Sequence, residues 1–197
     1  MMLDGEHVGI LVRLLELGNE QVYVDCGAAA PFFSPVRFET DVNHASSFGA
    51  DKILIRALPR EHGRYVYSRC VNGEPSGEPW EFNANSSSEL DDFQPLIEGA
   101  NKPGASFMTF LHCQLWQLGK SRSVSLVNNS FGIRSADGGL VKRKLRTVED
   151  IEQVLSEEFG LPRLPVRSAI EILHELGVDI LMLIRCKTLT CTCSNRS

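Results

Sequence analysis

The 197-residue chain has no long apolar run. The longest, Ile180 to Ile184, is far too short to cross a bilayer, which takes about 20 apolar residues in succession. It has no excess of basic residues either: the formal net charge is −5 and no basic stripe is visible. Nothing therefore points to a nucleic-acid or membrane partner. The opening residues Met1-Met2-Leu3-Asp4-Gly5-Glu6-His7 carry acids where a signal peptide would need a basic start and an apolar stretch, so a cytoplasmic protein is expected. The six cysteines make no disulfide framework. Cys26, Cys70 and Cys113 sit singly inside apolar patterns, as reduced, buried thiols do. Cys186, Cys191 and Cys193 crowd the end of the chain with no histidine beside them, and a tail is expected there rather than a zinc site. No His, Cys or acidic group has metal-ligand spacing, so no metal is expected, and no repeat or low-complexity block is present.

What is present is ordinary for a globular protein: 43% apolar and 23% charged residues, enough for one domain with a real core or two small packed subdomains. The order is strands first, then a helix-rich end, which predicts an α+β fold. His7 to Leu15 and Gln21 to Asp25, joined by Leu17-Gly18-Asn19-Glu20, read as a hairpin. Ala29 to Pro35 carries two prolines and cannot be a central strand. Lys52 to Leu58 and Arg64 to Val71 form a second pair, with a short strand expected at Trp80 to Phe82 and a loop from Asn83 to Ser88. Further strands are expected at Phe107 to Gln117, Ser123 to Arg134 and Leu140 to Arg146, with Lys142-Arg143-Lys144 on the wet face of the last. The clearest helix starts at the Thr147 cap, has acids in its first turn and Ile151, Val154, Leu155 and Phe159 on one face, and stops at Gly160. A second is expected from Ser168 to Leu176, with Ser168 and Glu171 in capping-box spacing and Gly177 as its stop.

The residues with chemistry begin with His7, which heads an aliphatic strand, and Asp25, which ends the neighbouring one. A carboxylate that fixes an imidazole's tautomer, while the imidazole deprotonates a nucleophile, is the second half of a catalytic triad. Spacing alone also allows a solvated histidine and a turn-forming aspartate before Gly27. Register separates these readings. A two-residue turn at Gly18-Asn19 would set Asp25 opposite Val12, far from His7. To face each other the two residues need pairing centred near Glu16, through a longer, lopsided loop or a bulge. Of the other histidines, His44 and His62 are expected to be solvated, and His112 and His174 to be structural.

The stretch His7-Val8-Gly9-Ile10-Leu11-Val12, followed by Val22-Tyr23-Val24-Asp25-Cys26-Gly27, resembles the segment of arylamine N-acetyltransferases in which a catalytic histidine opens an aliphatic strand and a Val-Asp-Val-Gly-Phe-Gly motif follows. The likeness continues in order through Ala30-Pro31 to Val36, Trp80, Leu90-Asp91-Asp92-Phe93, Pro103 to Phe107, and Leu145 to Asp150 ending in Glu158-Phe159-Gly160-Leu161, covering most of residues 7 to 161. The resemblance implies the second and third domains of a papain-like cysteine fold. These are a β-rich barrel or sheet domain over 1–100 bearing His7 and Asp25, and an α/β lid over 101–197 with a C-terminal tail. It implies acetyl transfer from acetyl-CoA to an arylamine or hydrazine nitrogen by a Cys-His-Asp ping-pong mechanism, with His7 as base and Asp25 as its orienter. It also implies a coenzyme contact at Gly104 and Ser106; a helix or strand start that needs small residues explains the same run.

Two departures qualify the resemblance. The family's Arg-Gly-Gly-x-Cys motif, which lies upstream of the histidine, does not occur in these 197 residues. Where the family has Gly-Phe-Gly after the aspartate, this chain has Gly27-Ala28-Ala29, which removes an aromatic wall of the acceptor pocket. Cys26, next to Asp25 on a strand, is expected to point away from His7, and Cys70 and Cys113 to be core thiols. The chain is thus read either as the back two-thirds of an acetyltransferase whose thiol lies elsewhere, or as a non-catalytic coenzyme-binding or interaction module or a degenerate relic.

Overall fold

A computed structural model describes residues 2–3, 7–25, 27, 30–41 and 44–181. The fold is α+β. The chain gathers into two compact units. One comprises Met1–Gly99, Leu118–Arg122 and Arg134–Leu140, and the other Ala100–Gln117, Ser123–Ile133 and Val141–Ser197.

In the first unit β1 (Met2–Leu3) pairs with β2 (His7–Val8), and β3 (Ile10–Leu14) pairs with β4 (Glu20–Val24), both antiparallel. The β3–β4 register runs from Ile10 opposite Val24 to Leu14 opposite Glu20. The connection is lopsided: a 3-10 turn over Leu15–Leu17 is followed by Gly18 and Asn19 with φ of +70° and +69°. Two successive left-handed residues suit glycine and asparagine, the types that enter that region at least steric cost. β4 does not alternate between buried and exposed residues. Glu20, Gln21, Val22 and Tyr23 are all buried, so both faces of the strand are covered.

A third antiparallel sheet holds β5 (Ala45–Phe48), β6 (Asp51–Ala57), β7 (Arg64–Val71), β8 (Glu74–Pro75) and β9 (Trp80–Asn83). β6 lines one edge of β7; β9 and β8 share the other. β5 was not expected, because Ala45-Ser46-Ser47-Phe48 has little apolar pattern of its own and is held by its pairing with β6. The core is aromatic and β-branched: Tyr23, Val36, Phe38, Ile53, Ile55, Tyr67 and Phe82 are at most 2% exposed. A short helix, α1 (Gln94–Ala100), follows a 3-10 turn over Leu90–Phe93. It buries no side chain, which is why no apolar stripe announced it.

The second unit is organised by a four-stranded sheet in chain order, β10 (His112–Gln117), β11 (Arg122–Val127), β12 (Ser130–Ser135) and β13 (Leu140–Lys144), with α2 (Val148–Phe159) and α3 (Val166–Glu175). The expected strand from Phe107 is shorter than predicted. Ser106–Met108 is a 3-10 turn closed by Thr109, whose hydroxyl donates to Ser106 O at 2.8 Å. The run from Ser123 to Arg134 is a hairpin, broken where Asn128 takes φ of +52°. β13 is exposed along its whole length, Lys142-Arg143-Lys144 included. α2 forms as its sequence predicts. The Thr147 hydroxyl accepts from Asp150 N at 3.0 Å, the Asp150 carboxylate accepts from Thr147 N, and Gly160 ends the helix at φ +69°. α3 begins two residues earlier than expected and without the Ser168–Glu171 capping box. Pro165, at φ −77°, stands at its N-cap, its ring presetting the angle and its missing N–H leaving no donor there to satisfy. The aliphatic core of this unit includes Val124, Leu126, Ile151, Val154 and Leu155.

Candidate active site

The β3–β4 register puts position 9 opposite position 25, so a continuous strand would carry His7 two residues beyond Asp25. The chain instead breaks at Gly9, between β2 and β3, and the imidazole turns back. His7 Nε2 lies 2.5 Å from Asp25 Oδ2. The pairing centre falls at Leu17, one residue from the position the sequence required. The Asp25 side chain is fully buried, whereas that of His7 is 26% exposed, so one edge of the imidazole stays reachable from outside.

Asp25 is held from several sides. Tyr23 Oη donates to Oδ2 at 2.9 Å and Gly27 N donates to Oδ1 at 2.7 Å. Burial works to raise the Asp25 carboxyl, but the bonds from His7, Gly27 and Tyr23, with the His7 charge, outweigh it and hold the group below the usual carboxylate value. An ionised carboxylate only accepts hydrogen bonds. For a neutral ring that partner puts the proton on Nε2 and leaves Nδ1 its lone pair. Burial, followed by the Asp25 charge, drives the Tyr23 hydroxyl far above its ordinary pKa, so it remains a donor.

The walls are aromatic. Trp80 lies 4.9 Å from the His7 ring and stacks on Tyr67 at 3.7 Å with an 8° interplanar angle. Gly27 leaves room at the open edge of the imidazole: a Cβ there would come within 3.2 Å of His7 Cε1. Tyr23 escaped the sequence reading because a tyrosine on a strand reads as core, and it is core in its ring. Only its i, i+2 relation to Asp25 on one strand face hinted that its hydroxyl had that carboxylate within reach.

The remaining candidates are placed as follows. Cys113 is part-buried beside the aliphatic cluster of the second unit, and that desolvation raises its pKa, the reverse of an activated thiolate. Cys70 is half-buried on β7. Cys26, Cys186, Cys191 and Cys193 lie outside the described residues. His44 is not simply solvated, since its Nδ1 accepts from Arg37 N at 3.2 Å. His62 is exposed, as expected. His112 and His174 are also exposed, which corrects the structural role expected of them: their side chains face outward from β10 and α3. Gly104, at φ +85°, and Ser106 are exposed in the second unit at the entrance to the Ser106–Met108 turn. Among the described residues no group of His, Cys, Asp and Glu could hold a metal ion, and no helix is long and apolar enough to cross a membrane.

No protein-family model matches the chain, and no curated protein matches it by sequence. Its structure is similar to solved arylamine N-acetyltransferases. That from Mycobacterium abscessus superposes with a TM-score of 0.64 at 17% identity, over 85% of this chain and 57% of the other. That from Salmonella typhimurium gives 0.63 at 14% identity, over 84% and 59%. That from Mycobacterium marinum, solved in complex with CoA, gives 0.59 at 14% identity, over 81% and 56%. The chain thus spans less than two-thirds of the length of each. Over the part that it spans, this polypeptide has the arylamine N-acetyltransferase fold.

Proposed function

We propose that this polypeptide supplies the base and its orienting carboxylate to an acetyltransferase that moves acetyl from acetyl-CoA to an arylamine or hydrazine nitrogen through a cysteine contributed from outside these 197 residues. The single observation that carries the reading is the 2.5 Å contact between His7 Nε2 and the buried Asp25 carboxylate, which leaves Nδ1 as the base. In this scheme Nδ1 takes the thiol proton and the thiolate attacks the acetyl carbonyl carbon. The C–S bond to coenzyme A breaks, and the departing thiolate recovers the proton from the imidazolium. The amine nitrogen then attacks the acetyl-cysteine, loses a proton to Nδ1, and releases the cysteine thiolate, which is reprotonated.

A second observation supports an external thiol. Val8, Ile10 and Val12 alternate along β2 and β3 with exposures of 48%, 51% and 36%, an apolar row that suits a covering segment of polypeptide. Gly104 and Ser106 remain the proposed contacts for the coenzyme; the left-handed glycine lets backbone approach a ligand closely. The β-rich part over 1–100 and the lid over 101–197 belong to the same proposal.

The test is to express the chain together with the coding sequence that precedes Met1, expose it to acetyl-CoA, and map acetylated cysteines by mass spectrometry. One acetyl-cysteine upstream of His7, discharged by an added arylamine and lost in His7→Ala, is the expected result. The 197-residue chain alone should show none, and His7→Ala should change little in it. Stable acetylation at Cys26 or Cys113 would sink the external-thiol scheme. A monodisperse, stable monomer of the short chain would count against the covered apolar row.

A further inference from the structure

We propose that Tyr23 is a positioning residue for the His7–Asp25 pair, its hydroxyl pinning the carboxylate oxygen that receives His7, and that Gly9 is required because the Tyr23 ring occupies the space a side chain there would fill. The inference rests on the reading of His7 and Asp25 given above and adds to it the part that holds the pair in register.

The geometry has three components. Tyr23 lies on β4 and Asp25, two residues on, follows directly after it, so the phenol reaches along the chain to the carboxylate at 2.9 Å. Oδ2 accepts from both Tyr23 Oη and His7 Nε2, while Oδ1 is taken by Gly27 N. A carboxylate with donors on both oxygens cannot rotate about its Cβ–Cγ bond without breaking one of them. Its second oxygen therefore stays turned from the imidazole and the His7 ring keeps one orientation. Third, the phenol is wedged. A Cβ at Gly9 would lie 2.7 Å from Tyr23 Oη and within 2.9 Å of Cε2 and Cζ, distances that real Cβ contacts essentially never show. The break between β2 and β3 that turns His7 back toward Asp25 thus falls where the tyrosine ring needs an absent side chain. Trp80 backs the assembly: it stacks on Tyr67, its ring lies beside His7, and its indole N–H is buried.

The arrangement separates two jobs that spacing in the sequence cannot tell apart. The ring of Tyr23 is packing, in contact with Phe82 and Phe32 at ring-centroid distances of 5.1 and 5.6 Å. Its hydroxyl is orientation, and Tyr23→Phe removes the second alone.

The experiment uses the 197-residue chain itself. The imidazole nitrogens are labelled with 15N and the His7 signals assigned by their loss in His7→Gln. In the wild type His7 is expected as the Nε2–H tautomer, with a slowly exchanging Nε2 proton. In Tyr23→Phe that proton should exchange about tenfold faster, the size of effect that loss of one charge-assisted hydrogen bond gives, and some Nδ1–H tautomer should appear. The far-ultraviolet spectrum should not change. Gly9→Ala, which displaces the hydroxyl without removing it, should give the same signature, and the double variant should go no further than either single one. An unchanged exchange rate and tautomer in Tyr23→Phe would overturn the inference, whatever the catalytic result. In the extended, thiol-bearing polypeptide Tyr23→Phe should lower kcat with KM little changed. If that polypeptide transfers no acetyl at all while the exchange effect is present, the acetyl-transfer reading fails and the positioning role of Tyr23 stands.

Discussion

The two units bury different chemistry. The second packs aliphatic side chains, and the polar residues buried among its described ones, Ser123 and Asn129, are neutral. Among its described residues the first buries three carboxylates: Glu20, Asp25 and Asp51. Two of these are matched by arginine. Arg37 donates to Glu20 through Nε and Nη2 at 3.0 and 2.8 Å, and Arg69 donates to Asp51 at 2.9 and 2.5 Å. A guanidinium is charged at every accessible pH, so those pairs are structural anchors. Asp25 is matched instead by the His7 imidazole, whose ring is partly open to the outside. A buried acid held by an imidazole thus stands beside two buried acids held by permanent cations.

The contrast can be broken by measurement, since the chain's two tryptophans fall one in each unit: Trp80 reports the first and Trp116 the second. The largest effect is expected at Ile151, which is fully buried on α2. Ile151→Ala should cost about 3.5 kcal/mol in urea unfolding followed by Trp116, with little dependence on pH, because lost apolar contact and an unfilled cavity carry no proton. Arg69→Met should cost about 2.5 kcal/mol on the Trp80 signal, by leaving the Asp51 carboxylate buried without its guanidinium. Equal or smaller losses than at an exposed arginine would deny that the pair is an anchor.

Asp25→Asn sharpens the comparison through pH. The folded carboxyl lies below the ordinary carboxyl value of 3.8, so the ionised form contributes stability that is fully present above that value and is lost as pH falls through the folded value. The variant should therefore be about 1.5 kcal/mol less stable than wild type at neutral pH, the size of a hydrogen bond to a charged group. The two unfolding curves should converge in acid below 3.8. A gap that persists there would make Asp25 an ordinary packing residue. The smallest effect belongs to Thr147→Ala, about 1 kcal/mol from loss of the α2 cap. It should be seen by Trp116 and leave the His7 imidazole signals unmoved.

Much of the second unit was legible because its signals are local. Thr147, Asp150, the apolar face of α2 and Gly160 lie within fourteen residues of one another and agree on one helix. The failures there are local conflicts that a neighbour resolved: Pro165 starting α3, Asn128 breaking a strand-like run, and Thr109 folding Ser106–Met108 into a turn. In the first unit the hairpin and the β6–β7 pair were legible from apolar runs and turn residues. β5 was not, since its strand exists only as the partner of β6.

The sequence by itself determined the elements, the α+β class and the candidacy of His7 and Asp25, because periodicity, capping and turn chemistry act over a few residues. It also limited the ways the two could meet, since the side-chain period of a strand leaves few registers. Only the tertiary structure decided that they do meet. The register is set by a loop with two left-handed residues, and the last two positions are closed by the interruption between β2 and β3 at Gly9, where the ring of Tyr23 fills the space a side chain would take. That ring is placed by the aromatic core around it, and no interval along the chain encodes its position.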